Sequence, residues 1–230
     1  MGIGNRAAPA EAQRRQAAPA DAQQKEERGI GKKESGGGLE RFAIVASGAG
    51  TNADKIIQHF KGSSKAEIAL IVCNKPGAGV LAIAARENIP VILIEKERFF
   101  RGDAYIPELL GKKVDLIVLA GFLWKIPDSL IAAYRGRIIN IHPALLPKYG
   151  GKGMYGDNVH AAVIAAGDKE TGITIHYVDE KYDNGDIIYQ ARCPVHPDDT
   201  PASLAKRVHE LEYMWFPKVI EELVGQAASS

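Results

Sequence analysis

From residue 41 to residue 141 the chain alternates short β-branched apolar runs with stretches of helical periodicity, and this alternation constrains the fold more than any other feature. Residues 42–46, 67–73, 90–94 and 115–120 are almost uninterrupted apolar runs, which reads as strands buried on both faces. Residues 52–61, with Ile56, Ile57 and Phe60 on one helical face, fall in the first gap, and residues 80–87 and 103–110 fill the next two. Strand, helix, strand in steps of about 25 residues is how βαβ units build a parallel sheet. A helix over residues 129–134 and a fifth strand over 137–141 continue the series. Beyond it the pattern changes. Residues 173–178 alternate apolar with polar, and a turn at 183–186 leads into an apolar run at 187–193, which predicts an antiparallel, hairpin-like extension. The last predicted helix runs from Pro201 to about Leu223, with Thr200 as N-cap and Pro201 in its first turn. The fold class is therefore α/β, a mostly parallel sheet with helices on both faces.

Residues 1–40 do not share this pattern. They hold seven of the 29 Lys and Arg and six of the 28 Asp and Glu, no aromatic residue, and only Met1, Ile3, Ile30 and Leu39 as large apolar side chains. Such a segment buries too little to offset its chain entropy, and Gly36-Gly37-Gly38 reads as a flexible joint. A disordered tail is expected at 1–40 and one folded domain at 41–230. Arg6, Arg14 and Arg15 invite comparison with an organellar presequence, but Glu11, Asp21, Glu26 and Glu27 argue against an acid-poor leader. The domain keeps 22 basic and 22 acidic residues and the whole chain carries a formal charge of +1, so no global field gathers nucleic acid or an anionic membrane. Cys73 and Cys193 make neither a disulfide framework nor a metal-ligand spacing, and the longest apolar run has nine residues where a bilayer span needs about 20. A cytoplasmic protein without a metal is expected.

Ser47-Gly-Ala-Gly-Thr-Asn52 lies between the first strand and the first helix. A glycine-rich turn there aims backbone N–H groups and a helix N-terminus at an anion, although glycines at such turns also serve sterics alone. Gly48, Gly50 and Ala53 satisfy the loose dinucleotide pattern, but the second strand ends in Cys73-Asn74-Lys75 without the acid that would hold a ribose. A nicotinamide cofactor is disfavoured, and G-x-x-x-x-G-K-[ST] is not found.

The most informative stretch is Asn140-Ile-His-Pro-Ala-Leu-Leu-Pro-Lys-Tyr149. Asn140 and His142, two apart on a strand, project from one face at its carboxyl end, where α/β sheets place their sites. An amide and an imidazole converging on one point suit a carbonyl oxygen that is becoming an oxyanion. Asp183, in the Asn-Gly turn, is the best candidate to set the charge of the ring, against the alternative of an ordinary turn aspartate. His176 reads as a supporting or merely half-buried residue, and spacing pairs none of His59, His160, His196 and His209 with a partner.

Residues 43–52 (AIVASGAGTN), 118–123 (VLAGFL), 140–149 (NIHPALLPKY) and 182–185 (YDNG) occur in the order seen in the glycinamide ribonucleotide formyltransferases, and the chain resembles that family over about residues 41–223. The resemblance implies a Rossmann-like, mostly parallel sheet with an antiparallel C-terminal extension. It also implies formyl transfer from 10-formyltetrahydrofolate, as co-substrate, to the amine of 5'-phosphoribosylglycinamide. It implies Asn140, His142 and Asp183 as the catalytic trio, with Asp183 keeping His142 protonated. Gly50, Thr51 and Asn52 match the loop on the ribonucleotide phosphate, and Glu212 an acid contacting the ribonucleotide, with His209 where the family often has Gln. Leu123, Trp124, Lys125 and Ile126, with Asn140 and the turn holding Asp179, match the folate walls, and Arg101 lies near a family arginine. The partners implied are small molecules, with neither nucleic acid nor membrane, for a monomer or homodimer. Residues 150–160 are about five longer than the commoner form and read as a mobile flap carrying His160. The rivals are formyltetrahydrofolate hydrolase, whose regulatory domain residues 1–40 cannot form, methionyl-tRNA formyltransferase, which needs a further domain and a basic surface, and a non-catalytic phosphate-binding module.

Overall fold

The computed structural model describes residues 39–227. The predicted apolar runs become β1 (Glu40–Ala46), β2 (Ala66–Cys73), β3 (Val91–Leu93), β4 (Leu116–Leu119) and β5 (Ile138–His142), all parallel to their neighbours among these five. With β6 (Glu170–Tyr177) and β7 (Ile187–Pro194) they form one sheet in the order β3-β2-β1-β4-β5-β6-β7. β5 is parallel to β4 and antiparallel to β6, so the sheet reverses direction beside the strand that carries Asn140 and His142.

The period of two along β1 divides the core. Phe42, Ile44 and Ala46 face α1 (Thr51–Phe60), α2 (Gly79–Arg86), α6 (Asp157–Ala165) and α7 (Pro201–Ala227). Ala43 and Val45 point the other way, against α3 (Lys96–Phe100), α4 (Ile106–Gly111) and α5 (Asp128–Ala133). Both faces of the central strands are thus covered, which is why their sequences are continuously apolar. α1 buries Ala53, Ile56, Ile57 and Phe60, the predicted stripe. At the start of α7 the Thr200 Oγ1 accepts from the Ser203 N–H at 3.2 Å, the expected N-cap. No helix among the described residues is long and apolar enough to cross a membrane.

Four expectations are corrected. β3 is not buried on both faces: it pairs with β2 alone, and Val91 and Leu93 are 39% and 50% exposed at this edge. The helix expected over 103–110 begins three residues later, as α4, and a further short helix, α3, precedes it; between them Gly102 has a φ of 101°, which a glycine adopts without a Cβ penalty. The expected antiparallel extension is present as β6 and β7; β6 is buried over Thr171–His176, because it lies between β5 and β7, and its polar Thr174 is satisfied by the Leu146 N–H, the Gln190 amide and the Ala144 carbonyl. The flap is shorter than expected: α6 begins at Asp157 and packs Val159, His160 and Val163 inward, so only residues 150–156 are irregular. Finally, the strand begins one residue inside the expected tail, where Glu40 is buried and paired with Arg137. The rest of that tail, residues 1–38, lies outside the described residues.

Candidate active site

The turn after β1 is shaped by contact. Gly50 sits at φ 81°, and a Cβ there would meet the Val80 Cα and Cβ at 2.8 Å. Its carbonyl accepts the Asp54 N–H at 2.8 Å, which starts α1, while Ser47 Oγ accepts the Leu123 N–H at 3.1 Å and ties this turn to the one after β4. Thr51 and Asn52 open the helix beside its N-terminal dipole. Asn52 Nδ2 donates to Glu212 Oε2 at 2.8 Å across to α7, and the same oxygen is 2.9 Å from His209 Nδ1. The hydrogen bond to Glu212 raises the proton affinity of His209, against some burial. His160 stands close enough to feel both His209 and Glu212; it is 1% exposed, and burial pushes its pKa down. Two buried atoms here, Asn52 Oδ1 and His160 Nδ1, have no hydrogen-bond partner among the described residues.

The second cluster stands at the carboxyl end of β5. His142 is 3% exposed, and since a carbonyl only accepts, its Nε2 must donate to Tyr149 O at 2.8 Å. Its Nδ1 lies 3.7 Å from Asp183 Oδ2, and the other oxygen, Oδ1, lies 3.7 Å from His176 Nε2. Oδ2 also accepts the Gly151 N–H at 2.8 Å. The turn that delivers this carboxylate needs unusual backbone: Asp183 has φ 51°, which Asp tolerates, and a Cβ on Gly185 would meet Tyr177 O at 1.9 Å. Asn140 lies directly opposite His176 in the β5–β6 register, with Nδ2 and Nε2 3.1 Å apart.

Burial lowers the pKa of His142, and the Asp183 charge, the next influence, only partly offsets it. With Nε2 donating to the Tyr149 carbonyl, Nδ1 is the nitrogen that faces the Asp183 carboxylate.

Both clusters open onto one cavity of about 730 Å³. Every predicted site residue lines it except Arg101, which is exposed at the C-terminal cap of α3. Its neighbour Phe100 packs on Trp124 with ring centroids 5.7 Å apart, so Arg101 stands outside the wall that Leu123, Trp124, Lys125 and Ile126 form. Asp179 lines the same end and accepts the Lys181 N–H and the Asn184 amide. Two further wall residues are His176, read from the sequence only as supporting or half-buried, and His160, read only as the histidine of the flap. The only signal for His176 is the register of β6 against β5, and for His160 the apolar spacing that follows Gly156. Among the described residues no group of three His, Cys, Asp or Glu could hold a metal ion.

A doubly wound sheet with a glycine turn and an Asn, His and Asp cluster at the same carboxyl edge, opening onto one cavity, defines the layout of a group-transfer enzyme. The chain belongs to the formyl transferase family, whose model matches residues 40–220. The phosphoribosylglycinamide formyltransferase of Bacillus subtilis is 40% identical over 192 residues, covering 81% of this chain and 96% of that protein. The trifunctional purine biosynthetic protein adenosine-3 of Drosophila melanogaster is 38% identical over 196 residues; the match takes in 82% of this chain but 14% of that much longer protein. Among solved structures, glycinamide ribonucleotide transformylase 1 from Geobacillus kaustophilus aligns with a TM-score of 0.74 at 38% identity, over 81% of this chain and all of that one.

Proposed function

We propose that this enzyme transfers a formyl group from 10-formyltetrahydrofolate to the amine of 5'-phosphoribosylglycinamide, giving the N-formyl product and tetrahydrofolate in purine biosynthesis. The observation that carries the reading is the single cavity in which Asn140, His142 and Asp183 stand between an anion-binding turn and an apolar wall, in a chain of the formyl transferase family. The phosphate goes to the N–H groups of Gly50, Thr51 and Asn52, the ribosyl part to Glu212 and His209, and the folate to the Leu123–Ile126 side with Asp179.

The amine attacks the formyl carbon directly. As the new C–N bond forms, the carbonyl electrons move onto oxygen, and an Asn140 N–H stabilises that oxyanion. The amine gives up a proton, which His142 Nδ1 takes within reach of Asp183, and the imidazolium so formed adds to the field on the oxyanion. Collapse breaks the bond to the folate nitrogen, which leaves with that proton. No covalent enzyme intermediate is needed. Residues 41–230 are taken as the catalytic domain, and deleting the 1–40 tail is expected to change turnover little.

Formyl transfer measured with phosphoribosylglycinamide, with methionyl-tRNA and with water as acceptor tests the reading. Product with the first alone supports it. Hydrolysis outrunning transfer, or formylation of the tRNA, would replace it with one of its relatives' activities.

A further inference from the structure

His176 is the one buried imidazole in contact with two of the proposed catalytic groups, and nothing in the reaction itself uses it. It is 2% exposed, on β6, opposite Asn140 in the register. A bulge in the pairing with β7 falls between Ile175 and His176, where such irregularities re-aim a side chain.

Its two ring nitrogens have partners of different character. Nδ1 lies 2.8 Å from the carbonyl of Tyr177, which can only accept, so Nδ1 carries the proton. In the neutral ring Nε2 is then a bare lone pair, 3.1 Å from the Asn140 amide. An amide oxygen facing it would set acceptor against acceptor; the amide nitrogen facing it makes a hydrogen bond. We propose that His176 is a positioning residue, a neutral Nδ1–H tautomer whose Nε2 lone pair selects which end of the Asn140 amide is presented to the substrate. One N–H of Asn140 is held by the ring and the other is left as the donor for the developing oxyanion. This role rests on the formyl-transfer reading, whereas the tautomer itself does not.

The surroundings support a neutral ring. Burial lowers the proton affinity of His176, against the Tyr177 carbonyl, Asp183 and Asp179, and His142 stands close enough to interact as well. A second proton, on Nε2, would face the Asn140 N–H and turn to Asp183 Oδ1, 3.7 Å away. Asn140 would then flip, and Asp183 would be drawn off His142.

Two measurements decide it. In 15N-histidine-labelled protein at neutral pH, His176 is expected as the Nδ1–H tautomer, which is the minority form in solution. A proton on Nε2, alone or together with Nδ1, would overturn the proposal whatever the enzyme's activity. In kinetics, His176→Ala is expected to lower kcat by about tenfold to a hundredfold, part of the loss seen when an oxyanion donor is removed, with KM little changed. His176→Gln, whose side-chain carbonyl can reach the Nε2 position and accept from Asn140, is expected to recover most of it. Equal losses in the two variants, or wild-type kcat in His176→Ala, would reduce His176 to packing. A wild-type protein with no transfer activity would remove the function but leave the tautomer measurement to stand or fall alone.

Discussion

Asp183 Oδ2 lies 3.7 Å from His142 Nδ1, on the side of the ring opposite the nitrogen that donates to Tyr149. One nitrogen is committed to the backbone and the other faces a carboxylate. Such a ring is held in a single tautomer and made to accept its next proton at one place, which is what a base acting on an attacking amine requires.

Replacing Asp183 with Asn keeps the shape of the turn, since Asn also tolerates a φ near 51°. The charge that would hold a proton on His142 is gone. Turnover is expected to fall about a hundredfold, the scale of impaired general acid–base catalysis, with the melting temperature nearly unchanged. Wild-type turnover in this variant would show that the turn is structural only.

His142→Ala removes the base together with its charge. Turnover is expected to drop at least about a hundredfold. Steady-state kinetics on folded protein check this, and near-normal rates would end the proposed mechanism.

Stability should depend on pH through the buried rings. His142, His160 and His176 all have lowered proton affinity, in each case chiefly from burial. The unfolded chain, with histidines titrating near 6.5, binds protons that the folded chain refuses, so their contribution is intact above about pH 6.5 and is lost as pH falls toward the lowered native values. His209 has the opposite sign: raised by Glu212, its contribution is present below the unfolded value and fades as pH rises through the folded one. Three against one gives a melting temperature lower at about pH 5.5 than at about pH 7.5. A flat profile would mean that the three rings are not held neutral in the folded state.

Gly50→Ala places a Cβ against Val80 on a backbone at φ 81°. The left-handed conformation alone costs about 1–2 kcal/mol, and the contact adds to it. A lower denaturant midpoint is expected, with a raised KM for the ribonucleotide, whose phosphate loop is displaced. Unchanged values for both would deny that this turn is the anion site.

The parallel half of the sheet was legible because strands buried on both faces leave continuous apolar runs, and β1, β2 and β4 were placed to within two residues at each end. β3 misled because an apolar run does not reveal that its strand is at an edge. α6 was hidden by the glycines before Gly156, which look like a loop and do end one, at the helix start. Asn140 and His142 were legible from a spacing of two; His176 was not, because its partner Asn140 is 36 residues away and only strand register brings them together.

The Gly151 N–H is fastened to Asp183, and the Gly156 carbonyl accepts the Val159 N–H where α6 begins. Residues 152–155 bridge these two points as a short turn of their own, in which the Met154 N–H donates to the Gly151 carbonyl and the Gly153 carbonyl accepts from the Asn158 amide. A redesign that stays within this turn alters the cavity mouth, lined by Gly153, Met154 and Tyr155, without touching the Gly151 contact that steadies Asp183 beside His142.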